Sequence, residues 1–231
     1  MTSLRLNKYI ANHSRFARRY VDELISHGHV VVNGQLAKLG DRIDPDTHPD
    51  VIVNGRRLDL TATPTTYVMI HKPKGYVVTR AHYEQEQSIM SLLPKSLQHV
   101  RPVGRLDKQS EGLVLCTDDG ALIQELTHPS FEHEKEYLVT VQSELRAADL
   151  AAWRKGVMLE EGNTGRNNSV EQLDHDQFRI VLKQGWNRQI RRMVEARHNR
   201  VRALKRVRMG KLTLDHLPAG QWQIVQRDDI V

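Results

Sequence analysis

The sequence predicts an α+β chain in two parts: a small unit of two helices on a little sheet, linked to a larger, mainly antiparallel mixed-sheet domain. Three observations carry that reading. Helical apolar spacing is confined to a few short stretches, and turn signals punctuate many short β-type runs. Between the parts lies Asp59-Leu60-Thr61-Ala62-Thr63-Pro64-Thr65-Thr66, small, polar and proline-containing, with the composition of a linker. A chain of 231 residues has room for a small and a medium domain, each with its own core. The division is therefore 1–60, a linker at 61–66, and a larger domain at 67–231.

In the first part, Leu6, Tyr9 and Ile10 share one helical face, and Ala17, Val21, Leu24 and Ile25 repeat at helical spacing. Two short amphipathic helices follow, with Ser14 placed to cap the second and Gly28 just past its end. Val30–Val32 runs into Asn33-Gly34 and Val51–Val53 into Asn54-Gly55, each a strand entering a favoured hairpin turn.

The second part opens with an apolar run at 67–70, a turn at Lys72-Pro73-Lys74-Gly75 and another run at 76–79. A short apolar helix is expected at 89–93, then strands around 99–103 and 113–117. Asp118-Asp119-Gly120 reads as a turn before a helix from Ala121, its acids turn formers rather than a catalytic pair. A strand at 137–141, a helix over 145–155 meeting Gly156, and a strand at 178–182 come next. Asn187 is placed to cap a helix whose Ile190, Met193 and Val194 face inward, leaving Arg188, Arg191 and Arg192 mostly off the apolar face. Further strands are expected at 201–207 and 221–225.

Charge is segregated. The formal net charge is +6, yet residues 1–21 hold Arg5, Lys8, Arg15, Arg18 and Arg19 with no acid. Residues 183–211 hold eleven Lys and Arg against Glu195 alone, so the remainder of the chain is net acidic at −9. Two cationic blocks on an acidic background suit a polyanion held in one place. The amino terminus lacks the apolar core of a signal peptide and no run approaches membrane-spanning length, so a soluble cytoplasmic protein without a membrane partner is expected. The single cysteine, Cys116, lies in an apolar run and reads as a buried thiol. The twelve histidines are scattered without metal-ligand spacing, and no metal is expected.

The segment Pro102-Val103-Gly104-Arg105-Leu106-Asp107-Lys108-Gln109-Ser110-Glu111-Gly112-Leu113 sets one carboxylate between two cations on a loop joining two apolar runs. An opposite charge a few ångströms away favours the ionised form of a carboxylate, which then serves as nucleophile or base. Taken alone the triplet is equally a surface ion pair. Tyr137 after Glu134-Lys135-Glu136 and Arg191 within Asn187-Arg188-Gln189-Ile190-Arg191-Arg192-Met193 are the other candidates; alone, Tyr137 is a sheet core residue and Arg191 one more basic helix residue.

Arg18-Arg19, Leu24-Ile25, Gly28 and Val30–Gly34 resemble the small alpha-L RNA-binding module, although Ala17 stands where a serine is common. Lys72-Pro73-Lys74-Gly75, Gly104-Arg105-Leu106-Asp107, the Tyr137 strand and the Asn187–Met193 run together resemble the pseudouridine synthases, more narrowly the ribosomal group with that module at its amino terminus. The resemblance runs in order from Arg5 to about Trp222. It implies that Asp107 is the essential carboxylate, Tyr137 the aromatic stacked on a flipped-out uracil, and Arg191 the cation paired with Asp107. It further implies a monomer acting without a cofactor on ribosomal RNA, closest in look to the large-subunit enzymes. Arg5, Lys8, Arg15, Arg18, Arg19, Arg105, Lys108, Arg188, Arg192, Lys205 and Arg206 are read as RNA contacts. The rival readings are a small-subunit RNA or tRNA substrate, and a non-catalytic assembly factor. The second leaves a carboxylate in a cationic groove unexplained. A methyltransferase is disfavoured because no glycine-rich cofactor loop follows an early strand.

Overall fold

The computed structural model describes residues 3–14, 16–59, 65–80, 85–128, 133–157 and 168–231. It divides into two compact units, Met1–Thr65 and Thr66–Val231. Most of the expected linker, 61–64, and the candidate Arg15 lie outside the described residues.

The first unit runs β1 (Leu4–Arg5), α1 (Leu6–Asn12), α2 (Arg18–Ser26), β2 (Val30–Val32), β3 (Gln35–Leu36), β4 (Arg42–Ile43), β5 (Val51–Val53) and β6 (Arg56–Arg57). Strands pair antiparallel in the order β3-β2-β5-β6, with β1 on β4. Leu6, Tyr9 and Ile10 of α1 meet Val21, Leu24 and Ile25 of α2 over Val30, Val51 and Val53, so the helical spacing buries the faces it marks. Both Asn-Gly pairs take positive φ at each residue, the conformation a two-residue hairpin turn requires. Ser14 does not cap α2. Its Oγ donates to the Ile10 carbonyl (2.7 Å), closing α1, and accepts from the Phe16 amide, while Ala17 opens α2 without a side-chain cap.

The second unit comprises β7 (Tyr67–Lys72), β8 (Arg101–Pro102), β9 (Glu111–Thr117), α3 (Gly120–Thr127), β10 (Lys135–Val141), α4 (Ala147–Lys155), β11 (Ser169–Asp174), β12 (Gln177–Leu182), α5 (Gln189–Glu195), β13 (Val201–Met209), β14 (Leu212–Thr213) and β15 (Trp222–Ile224). The apolar stretch at 89–92 is a 3₁₀ turn. One sheet has the order β11-β12-β10-β13-β9-β7-β15, with β14 on β13 and β8 on β9. Every pairing of these strands is antiparallel except β9 with β13.

Both faces of the sheet centre are covered, which is why β7 and β9 read as continuous apolar runs rather than alternating ones. Val68, Ile70, Val114 and Cys116 point into one core with Tyr137, Val139 and Trp153; Tyr67, Met69, Leu113 and Leu115 point into another with Leu122 and Leu126. Trp153 fixes α4 to β12 by stacking on Phe178 (ring centroids 4.5 Å) and to α5 by donating Nε1–H to the Met193 carbonyl (3.0 Å). The Cys116 thiol is buried there, its pKa pushed up to about 12. At the parallel seam Gly112 has φ +118°, and a Cβ would lie 2.2 Å from the Arg206 carbonyl oxygen, so only glycine lets β9 reach β13.

Asp119 does more than turn the chain. Its Oδ1 accepts from the Ala121 and Leu122 amides and caps α3. Asn187, by contrast, does not cap α5; Arg188 stands there in the left-handed conformation (φ 48°) without a side-chain cap. Among the described residues no helix is long and apolar enough to cross a membrane.

Candidate active site

Between β8 and β9 the chain crosses a loop, 103–110, whose ends are secured by the sheet. The Val103 amide donates to the Leu115 carbonyl (2.7 Å), and the Ser110 amide closes a turn on the Asp107 carbonyl (2.9 Å). Leu106 is buried, so Asp107 is held with about a third of its side chain exposed. Two cations from elsewhere brace this turn. Lys72, at the end of β7, is fully buried, and its Nζ donates to the carbonyls of Pro73 (2.9 Å), Lys108 (3.3 Å) and Ser110 (2.5 Å). Burial lowers its pKa to about 8, with Asp107 and Glu111 opposing. Arg191 donates Nη2–H to the Gln109 carbonyl (3.2 Å) and Ser110 Oγ (3.4 Å), and Nη1–H to the Val201 carbonyl (3.3 Å).

Arg191 also faces the carboxylate, its Nε 4.0 Å from Asp107 Oδ2. That Nε is buried and has no hydrogen-bond partner, so the interaction is a charge pair rather than a closed hydrogen bond. Burial and the neighbouring Arg188 push the guanidinium below its usual pKa, while Asp107 and Glu195 favour the charged form.

Tyr137, third residue of β10, is 8 % exposed and belongs to the sheet core. Its ring nevertheless lines the same cavity as Asp107, a hollow of about 460 Å³ open to solvent, with Leu106, Trp186, Arg188 and Ile190 on other walls. Asp107, Tyr137 and Arg191 thus converge from a loop, a strand and a helix far apart in sequence. Arg191 was expected mostly off the apolar face of its helix; it is instead 8 % exposed, drawn inward by the carbonyls and carboxylate it serves.

The expected RNA contacts are placed unevenly. Arg105 and Arg188 are exposed at the rim of the cavity, Arg192 is half-buried, and Lys108 is exposed but pairs with Glu86 (3.1 Å). Lys205 is half-buried, 3.6 Å from Glu111. Arg206 lies inside the sheet at 2 % exposure, its Nε donating to the Leu113 carbonyl, because inward-facing positions of β13 face the core. In the first unit Arg5, Arg18 and Arg19 are exposed and Lys8 half-buried. Sequence reasoning placed Lys72 in a turn and missed it as part of the site. The signal was there: a lysine ending the run Tyr67–His71 either terminates the strand or is buried for a purpose. Trp186 also lines the cavity. Asp174, His175 and Asp176 are a grouping of metal-ligand types, in and just after β11, and Asp176 pairs with Arg202 at 3.0 Å.

Comparison with known proteins shows the family of the chain. The signature of the RNA pseudouridylate synthases matches residues 66–196, and that of the S4 domain residues 4–48. The chain is 35% identical over 232 residues to the dual-specificity RNA pseudouridine synthase RluF of Escherichia coli K12, covering 100% of this chain and 78% of that protein. It is also 35% identical to ribosomal large subunit pseudouridine synthase B of Vibrio vulnificus, covering 98% and 73%. A crystal structure of a pseudouridylate synthase superposes with a TM-score of 0.71 at 28% identity, covering 98% of this chain and 97% of that one. With a loop carboxylate and a tyrosine on one hollow, a buried arginine beside the carboxylate, and an S4 domain preceding them, the chain belongs to the RNA pseudouridylate synthase family, the enzymes that isomerise uridine in RNA to pseudouridine.

Proposed function

We propose that the protein isomerises a uridine of large-subunit ribosomal RNA, with Asp107 as the essential carboxylate, Tyr137 as the stacking platform and Arg191 as the residue that holds the carboxylate. The carrying observation is that Asp107 and Tyr137, from separate segments, line one solvent-open cavity, with the buried Arg191 guanidinium 4.0 Å from the Asp107 carboxylate. The reaction breaks the N1–C1′ bond, turns the uracil, and joins C1′ to C5; C5 gives up its proton and N1 gains one, so no atoms or electrons enter or leave. A carboxylate suffices, whether it attacks base or sugar or removes the C5 proton. A uracil within an RNA helix is out of reach, so the nucleotide is flipped into the cavity, where the Tyr137 ring offsets lost stacking.

The large-subunit substrate is supported by the name of the Vibrio relative. A second RNA class is the runner-up, favoured by the dual-specificity name of the Escherichia relative. In this reading residues 1–60 hold RNA by phosphate contacts through Arg5, Lys8, Arg15, Arg18 and Arg19, the 61–66 segment links them to the catalytic domain at 67–231, and the enzyme acts as a cytoplasmic monomer. Mapping pseudouridines in ribosomal RNA from cells lacking the protein tests it. One large-subunit uridine should remain unmodified, and purified protein should restore it in vitro. Unchanged large-subunit RNA would overturn the assignment.

A further inference from the structure

Adjoining the first hollow is a second of about 840 Å³, also open to solvent, sharing Arg105, Tyr137, Gln184, Gly185 and Trp186 with it. Among the described residues its wall carries Arg105, His128, His133, Lys135, Lys183 and Arg206, and no acid. A buried guanidinium nitrogen without a partner is costly unless an anion meets it. Two of these side chains stand out. Arg206 is 98 % buried and spends its Nε on the Leu113 carbonyl, leaving Nη2 without a hydrogen-bond partner. Lys135, half-buried, donates Nζ–H to the His133 carbonyl (3.0 Å), and burial together with Arg206 lowers its pKa. The register places Arg206 directly across from Tyr137 on β13, so the unpaired guanidinium and the candidate stacking ring share one pair of strands.

We propose that this second hollow is a phosphate subsite, in which Arg206 and Lys135 receive a phosphodiester of the RNA strand immediately beside the flipped uridine. The proposal rests on the reading of the first cavity as the uridine site, and it adds a distinct one. A bound phosphate neutralises two cations that otherwise repel, and charge-assisted hydrogen bonds to phosphate oxygens are short and strong. It also fixes the strand across the Tyr137–Trp186 wall, so that the flipped base enters the first cavity in one orientation. Arg206 and Lys135 are positioning residues in this scheme. They act on the backbone and leave the chemistry at Asp107 unchanged.

The test uses full-length protein and synthetic RNA hairpins carrying the uridine found by mapping, each with one neutral methylphosphonate linkage at a phosphate 5′ or 3′ of it. With wild type, one such linkage should raise KM roughly ten-fold and leave kcat near its wild-type value, the size expected for losing one charged hydrogen bond. Lys135→Met should raise KM similarly on all-phosphodiester RNA, and the same neutral linkage should then cost this variant less than about two-fold further. Arg206→Gln should behave alike where it folds; Lys135→Met, at the end of β10, carries the test where it does not. Penalties that multiply in full, or neutral linkages without effect, overturn the subsite. Inorganic phosphate distinguishes a free-anion site: protection of wild type but not Lys135→Met against thermal unfolding, together with methylphosphonates of no effect, overturns the RNA assignment. Absence of wild-type turnover on unmodified hairpins overturns the uridine-site reading itself, a result separable from all of these.

Discussion

The two units of this chain employ the same side chain in opposite ways. In the first, Arg5, Arg18 and Arg19 lie exposed on a small module with a modest apolar core. In the second, Arg191 and Arg206 are buried at 8 % and 2 % exposure, and Lys72 is buried completely. An exposed guanidinium is screened by salt and free to meet any phosphate, so its contribution is affinity and encounter. A buried one has part of its hydrogen bonding committed to particular carbonyls, so it is held in one fixed position. Net charge alone does not separate these roles; burial does.

The largest expected break in this contrast is at the carboxylate. Asp107→Asn should abolish uridine isomerisation while RNA affinity, measured by filter binding, stays within about two-fold, since a carboxylate contributes nothing favourable to phosphate binding. Retained turnover in that variant would remove the residue from its role. Next in size is Tyr137→Ala, which should cost about 1–3 kcal/mol in kcat/KM if the ring stacks on the base. Tyr137→Phe keeps the aromatic plane and should recover most of it, whereas equal losses in both variants would point to the hydroxyl instead.

Smallest is a pH effect at Lys72. Its folded pKa of about 8 lies below the ordinary lysine value of 10.5, so between these values the unfolded chain binds more protons than the folded one. Stability contributed by this group therefore rises with pH across that window, and the penalty for burying the charge is fully present below it. Urea unfolding of wild type and Lys72→Met between pH 7 and 10 should show their difference shifting in favour of wild type. A constant or falling difference would contradict the assignment.

Much of this was legible in the sequence because local chemistry and fold agree. Asn33-Gly34 and Asn54-Gly55 dictate hairpins, and the spacing of Leu6, Tyr9 and Ile10 or Val21, Leu24 and Ile25 leaves one burial solution. Asp107 stood out because a carboxylate between cations on a glycine-flanked loop has a chemical reason to be there. What escaped the sequence was decided by tertiary contacts. Ser14 satisfies the end of α1 rather than the start of α2. Lys72 and Arg206 look like surface cations in the sequence, and only the strand pairings reveal that both point into the protein. Helical spacing put Arg191 mostly outside, yet carbonyls of Gln109 and Val201, supplied by other elements, draw it in.

The contrast between exposed and buried cations is tested most directly by single-turnover isomerisation with enzyme in excess, comparing Arg191→Lys with the double variant Arg18→Gln/Arg19→Gln over a range of salt. A lysine cannot span the Gln109, Val201 and Asp107 contacts of a guanidinium, so Arg191→Lys should stay about 10²-fold slow at saturating enzyme with the wild-type salt slope. The surface double variant should show a flatter salt slope and regain the full rate once enzyme saturates the RNA. Full rate in Arg191→Lys at saturation, or a surface defect that saturation does not repair, would contradict the division of labour drawn here.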